Sequence, residues 1–237
     1  MDLPFDQFPA LSAIGICRHV FIQRIPGIDV SHDKAEVLER LDAAHREIRK
    51  ETGFGDSDEI ASTRRSRCWP LFTAEQVHGN EMAVIERAVA SAVLSGVNGR
   101  EFPACDGIIT NQRSAALGIY VADCCAVYVV DPRTPAIGLV HSGRKGTELG
   151  VVTNAIRQMI ERFGSDPANM IVQLSPCIRP PHYEVDFAAE IIRQSRALGV
   201  QHIHDSGTCT AGDLGRYYSY RAEKGKTGRM LAVLGMT

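Results

Sequence analysis

The sequence predicts an α/β protein in which a mixed β-sheet core is covered by helices. Short β-branched runs crowd the middle of the chain, and strongly amphipathic helical repeats stand on either side of them. Several strand-like runs also follow one another with no helix between, which pure βαβ winding does not produce. No internal repeat, low-complexity tract or Pro/Gly/Ser linker divides the 237 residues, so 1–237 is read as a single domain large enough for a sizeable core.

The first helix is expected from Asp33, with Glu36 three positions on as in a capping box. Leu38, Leu41, His45 and Ile48 recur at spacings of three and four, Arg49 and Lys50 suit the negative end of the dipole, and Gly53 and Gly55 stop it. His45 shares the apolar stripe, so burial against the core is expected of it rather than catalysis. Residues 56–70 are polar and irregular until Trp69, and Arg64, Arg65 and Arg67 within them read as a solvated loop. Strands are expected over 71–77, 82–85, 107–110, 117–121, 126–130 and 136–140, with Pro132 and Pro135 confining the last connection to a turn. A second helix is expected over 147–163, carrying Val152, Ile156, Met159 and Phe163 on one stripe and ending at Gly164. Asp166 and Pro167 begin the next turn, 170–174 reads as a strand, 186–198 as a helix ending at Gly199, and 230–234 as the final strand.

Composition narrows the function classes. With 26 basic and 28 acidic residues the net charge is −2, which offers no general attraction for a nucleic-acid backbone. No basic and apolar leader of secretory type opens the sequence, and no apolar run approaches the ~20 residues that span a bilayer. A cytoplasmic protein with neither nucleic acid nor membrane as partner is the expectation. The seven cysteines are an odd number without a dense pairing pattern, so reduced thiols are expected. His182, His202, His204 and Cys209 match no structural zinc spacing. Rossmann, Walker and Gly-x-Ser-x-Gly signatures are absent from the sequence.

Three segments could carry chemistry. Gln76-Val77-His78-Gly79 ends a strand in an imidazole followed by a flexible residue. Val121-Ala122-Asp123-Cys124-Cys125 places a carboxylate and a thiol directly after an apolar strand, where Asp123 and Cys124 should face opposite sides if extension persists. Val140-His141-Ser142-Gly143-Arg144-Lys145-Gly146 joins a strand to a helix and could bind an anion through its amides and cations. Two imidazoles and a thiolate are the usual protein share of a catalytic zinc site, and a metal there would bring the pKa of water toward neutrality. The same groups could instead form a metal-free Cys/His nucleophile pair. Arg24, Asp106, Glu184 and Arg221 lie at turns or element ends from which a pocket could be completed.

Together with Asp106-Gly107-Ile108-Ile109-Thr110, Ser175-Pro176-Cys177-Ile178, Tyr183-Glu184-Val185, Cys209-Thr210, Ser219-Tyr220-Arg221 and Thr227-Gly228-Arg229, these segments resemble the YfiH-like family, also called the multicopper polyphenol oxidase or laccase-domain family. The resemblance runs in order over nearly the whole chain. It implies a mixed α/β fold related to bacterial toxin-like cysteine hydrolases, with zinc or copper held by His78, Cys124 and His141. It also implies purine nucleoside phosphorylase activity on a purine nucleoside and phosphate, with adenosine deamination and methylthioadenosine cleavage. Arg24 looks like the family's N-terminal pocket arginine. On that reading Asp123 or Glu184 handles protons, Arg24, Arg144, Lys145 or nearby amides hold phosphate, and Asp106 and Arg221 are further substrate contacts.

The chain departs from the pattern after His141, where the family continues Ala-Gly-Trp-Arg-Gly and this sequence has Ser142-Gly143-Arg144-Lys145-Gly146. An aromatic surface is lost and a bidentate guanidinium becomes a point charge. Cys125 and Ala126 also replace the usual leucine and proline. The older polyphenol-oxidase label demands several connected copper centres, which eight scattered histidines hardly supply. A family member retained as a partner-binding protein is the alternative of a different class.

Overall fold

The central β-branched runs pair into two six-stranded sheets rather than one. In the computed structural model, which describes residues 3–55, 69–86, 100–113 and 115–237, the first sheet contains β1 (Phe5–Asp6), β2 (Cys17–Ile22), β3 (Leu71–Ala74), β5 (Glu101–Phe102), β7 (Ala116–Val121) and β12 (Met230–Met236). Its order is β1-β2-β12-β7-β3-β5. The second contains β4 (Met82–Ile85), β6 (Gly107–Thr110), β8 (Cys125–Asp131), β9 (Ala136–Ser142), β10 (Ile171–Leu174) and β11 (His202–Asp205), in the order β11-β10-β8-β9-β6-β4. Both are mixed: β7 with β3, β3 with β5, β10 with β11 and β4 with β6 are parallel, and the other pairs antiparallel.

Strand alternation stacks the layers. In β8, Ala126, Tyr128 and Val130 face the first sheet, while Cys125, Val127 and Val129 face the other way. In β12, Ala232 and Leu234 point into that inter-sheet core, and Leu231 and Val233 point outward. Helix α2 (Lys34–Glu51) covers the outer face of the first sheet through Leu38 and Ile48. Helices α4 (Val151–Phe163) and α5 (Phe187–Ala197) cover the second through Val152, Ile156, Met159 and Ile191. Burying a side chain of this kind contributes about 1.5–3 kcal/mol. Tyr128 reaches across the core to donate to the Val20 carbonyl at 3.0 Å, which satisfies its hydroxyl.

The helix signals hold with local corrections. Asp33 caps α2 by accepting from the Glu36 amide at 3.0 Å, and His45 is buried as its place on the stripe requires. Asp186 caps α5 in the same way through Ala189. The helix expected over 147–163 is broken: α3 (Arg144–Glu148) starts earlier, and Gly150, at φ 73°, turns the chain into α4 before Gly164 ends it. Strand β3 stops at Ala74, short of the expected Val77, because Gln76 and His78 adopt left-handed backbone at φ 64° and 60°. The short strands β1, β5 and β11, the six-residue β2 and helix α1 (Pro9–Ser12) were not expected, since their runs are brief or carry polar residues. Arg64, Arg65, Arg67 and Cys68 lie outside the described residues. Among the described residues no helix is long and apolar enough to cross a membrane.

Candidate metal centre

The three segments singled out in the sequence converge at one end of the sheets. His78 stands on the turn after β3, Cys124 on the turn joining β7 to β8, and His141 near the end of β9. One ligand atom from each lies within 4.8 Å of the others. Cys124 Sγ is 4.0 Å from His78 Nε2, and the two imidazole rings meet edge to face with centroids 4.8 Å apart.

Asp106, wholly buried beneath them, holds this arrangement. Its Oδ1 accepts from the His78 amide at 2.8 Å and from His141 Nδ1 at 2.8 Å, and its Oδ2 accepts from the Gly79 amide at 2.6 Å. The left-handed backbone at His78 is what aims two consecutive N–H groups at one carboxylate, and strain of that kind persists only where surrounding bonds overdetermine it. Asn154 donates to the Asn80 carbonyl at 2.7 Å, tying the same turn to α4. With Nδ1 of His141 held by Asp106, its Nε2 is the nitrogen turned toward Cys124 and available to a metal, the usual orienting device of a ligating histidine.

The chain also leaves Asp123 and Cys124 on the same side, contrary to the expectation of opposite faces. Asp123 has φ 83°, so extension ends before the thiol, and both residues line the cavity. Its carboxylate accepts from the Thr210 hydroxyl and the Arg221 amide, each at 2.7 Å. Cys125, next in the chain, turns into the core between the second sheet and its covering helices. Gly143 is needed for contact rather than for backbone freedom: a Cβ there would lie 2.5 Å from Cys124 Sγ.

Burial opposes charge at this centre, but the neighbours overrule it. Burial alone would raise the Cys124 pKa, yet the His141 charge and hydrogen bonds from both imidazoles bring it down to about 6. Burial would lower His141, and the Cys124 thiolate and Asp106 instead raise it to about 9. Asp106 is disfavoured as an anion by burial, and hydrogen bonds from His141 and the two amides still hold it below its usual value. A ready thiolate, an oriented imidazole and an exposed second imidazole are the donor set that zinc accepts with one position left open.

A cavity of about 510 Å³ opens above the three ligands. Asp123, Arg144 and Arg221 line it as expected pocket residues. Arg144 and Arg221 both pair with Glu184, at 3.6 and 3.5 Å, so this exposed carboxylate bridges the rim rather than facing the interior. Three assignments need correction. Arg24 is not in the wall: it donates to the Tyr217 carbonyl, pairs with Glu223 at 2.7 Å and lies over the Tyr218 ring, bracing the C-terminal loop. Lys145 is exposed on α3 outside the wall, because the helix starting at Arg144 rotates the two residues apart. Asp106 is too deep to touch a substrate and acts through the histidines.

Lys34, Phe187, Tyr220 and Arg229 line the cavity without having been expected there. Tyr220 and Arg229 stood within recognised segments, Ser219-Tyr220-Arg221 and Thr227-Gly228-Arg229, but neither was singled out as a site residue. Lys34 carries a weak signal, a cation in the first helical turn, where the dipole disfavours it. Cys177 is buried in the core beside α5, and Cys209 meets His182 Nδ1 at 3.5 Å; neither lines the cavity.

Two mixed sheets flanked by helices, with one His-Cys-His cluster at their common end, define an α/β protein with a candidate metal centre. The chain belongs to the family described as multi-copper polyphenol oxidoreductase laccase, whose model matches residues 56–193 and 185–237. A purine nucleoside phosphorylase of Corynebacterium glutamicum is 32% identical over 214 residues, covering 76% of this chain and 83% of that protein. The purine nucleoside phosphorylase YlmD of Bacillus subtilis is 28% identical over 198 residues, 69% of each chain. The crystal structure of YlmD from Geobacillus stearothermophilus shares the fold with a TM-score of 0.80 at 20% identity, covering 99% of each chain.

Proposed function

We propose that this chain is a zinc-dependent purine nucleoside phosphorylase that also deaminates adenosine and cleaves methylthioadenosine. The observation that carries the reading is the cluster of His78, Cys124 and His141 at the floor of a cavity large enough for a nucleoside, in a relative of purine nucleoside phosphorylases. Cavities that take small molecules commonly have volumes of about 300–1,000 Å³. Zinc, when bound, supplies Lewis acidity and brings a water within reach of deprotonation at neutral pH.

The chain's own residues do the rest. Tyr183, Phe187 and Tyr220 offer aromatic surface in place of the tryptophan that the family carries at position 144. Asp123, held by Thr210 and Arg221, keeps its carboxylate toward the cavity, where it accepts and returns the proton of an attacking water or a departing purine. In phosphorolysis a phosphate oxygen bonds to the ribose anomeric carbon as the bond to the purine nitrogen breaks. The electron pair leaves with the base, which takes up a proton, and no electron is exchanged with an oxidant.

The test is a panel of inosine, adenosine and methylthioadenosine with and without phosphate, on zinc-loaded protein, under air and under nitrogen. Phosphate-dependent release of base with sugar 1-phosphate, and oxygen-independent conversion of adenosine to inosine, are expected. Loss of both in H78A, C124A and H141A is expected too. Turnover that requires copper and oxygen would establish the polyphenol-oxidase alternative instead, and nucleoside turnover untouched by all three substitutions would overturn the centre.

A further inference from the structure

The cations lining the cavity differ in how their charge is satisfied. Arg144 and Arg221 share Glu184, and Arg144 also pairs with Glu148 at 3.0 Å. Arg229 is half-buried in the wall, its Nη1 donating to the carbonyls of Thr227 and Gly228 at 3.1 and 2.9 Å, with the Tyr220 ring 5.8 Å away. Lys34, also in the wall, donates to the Glu75 carbonyl at 3.3 Å. Among the described residues neither Lys34 nor Arg229 closes an ion pair with a carboxylate. Glu75, Glu101 and Asp106 reach Lys34 only as charges beyond ion-pair distance, as the Cys124 thiolate and Asp123 reach Arg229.

Three unfavourable effects meet at this pair. Lys34 is the first residue of α2, where the partial positive charge of the helix disfavours a cation. The residue is exposed overall, but its ammonium is partly desolvated where it lines the cavity, and the Arg229 charge repels it; both effects lower its pKa. Arg229 is itself desolvated, which lowers its pKa in turn. Local rules broken together in this way, with two like charges lining one cavity and one of them against a dipole, are expected at functional sites. A bound anion would offset both the repulsion and the helix dipole, and charge-assisted bonds from a guanidinium and an ammonium are the strong ones.

We propose that Lys34 and Arg229 form the oxyanion subsite of the cavity and take a phosphate group beside the His78, Cys124 and His141 centre. That the anion is free phosphate rests on the phosphorolysis reading; that it is a phosphate-type anion rests on the two cations alone. The same chemistry would accept the 5′-phosphate of a purine nucleotide.

The test uses the full zinc-loaded chain and its variants K34Q, R229Q and R229K, with K145Q as a control on the outer side of α3. In inosine phosphorolysis, K34Q and R229Q are expected to raise the phosphate KM by about tenfold or more. They should lower the ratio of phosphorolysis to adenosine deamination by the same factor, with R229K recovering part of the loss and K145Q matching the parent. Retained melting temperature in K34Q, an exposed position, guards against misfolding. An unchanged phosphate KM in both K34Q and R229Q would overturn the subsite. If the parent chain phosphorolyses no nucleoside, titration calorimetry with inorganic phosphate and with adenosine 5′-monophosphate replaces the kinetic readout. Binding of either that is lost in K34Q keeps the subsite and rejects the phosphorylase reading, and tight binding of the nucleotide alone identifies the 5′-phosphate as the occupant. Binding of neither rejects the subsite.

Discussion

The floor and the rim of the cavity are built on opposite plans. At the floor, Asp106 is buried and its oxygens accept from two amides and one imidazole, so His78 and His141 have little freedom to reorient. At the rim, Arg144, Glu184 and Arg221 are exposed and held by ion pairs of 3.5–3.6 Å, in which solvent screens most of the attraction. The floor is preorganised for a metal, while the rim can rearrange around what enters. This division lets a departure such as Arg144 alter selection without disturbing the ligands.

The largest effect should come from breaking the floor without touching a ligand. Asp106→Asn keeps the size of the side chain but sets an NH2 group where an oxygen now meets an amide or imidazole N–H. Zinc affinity, measured by chelator competition, is expected to fall about 10–100-fold. A change smaller than twofold would show that the floor is no more constrained than the rim.

Stability must be separated from chemistry, and His45 permits that at a distance from both regions. Its ring nitrogens lack hydrogen-bond partners among the described residues, and burial, aided by the Arg49 charge, lowers its pKa from 6.5 to about 3. The unfolded chain therefore binds the proton that the folded chain refuses, so this contribution is complete above pH 6.5 and is lost as pH falls toward 3. From pH 7 to pH 5 the loss is about 2 kcal/mol. His45→Leu should flatten that acid limb in denaturant titrations while zinc affinity at pH 7 stays as it was. His19, lowered to about 4 by burial, contributes to the limb with the same sign and should remain in the variant.

The smallest effect is expected at the rim. Glu184→Gln removes the shared partner of Arg144 and Arg221 and should change nucleoside KM by about two- to fivefold, the scale of exposed ion pairs, with the effect fading in high salt. A hundredfold loss of kcat would move Glu184 from the rim into the proton-transfer chemistry.

Much of the architecture was legible because its signals are local. Asp33 with Glu36, the Leu38 to Ile48 stripe, the β-branched runs and Gly164 each act within a few residues, and helix caps and strand alternation depend on nothing farther away. The division into two sheets was not legible, because pairing partners such as β2 and β12 stand at opposite ends of the chain. The early break at Gly150 was hidden by an apolar stripe that continues on both sides of it.

By itself, the sequence determined which residues could act as ligands: His78, Cys124 and His141 follow strand-like runs in a recognisable order, and residue type with local spacing suffices to nominate a donor. Only the tertiary structure decided what surrounds them. It put Asp106 under the histidines, turned Asp123 and Cys124 to one side, drew Glu184 between two arginines, and removed Arg24 and Lys145 from the wall. It also brought Lys34 and Arg229 to one cavity from the two ends of the chain. The physical reason is that a side chain's charge belongs to its residue, while the desolvation and the opposing charges that give it a role come from segments distant in sequence.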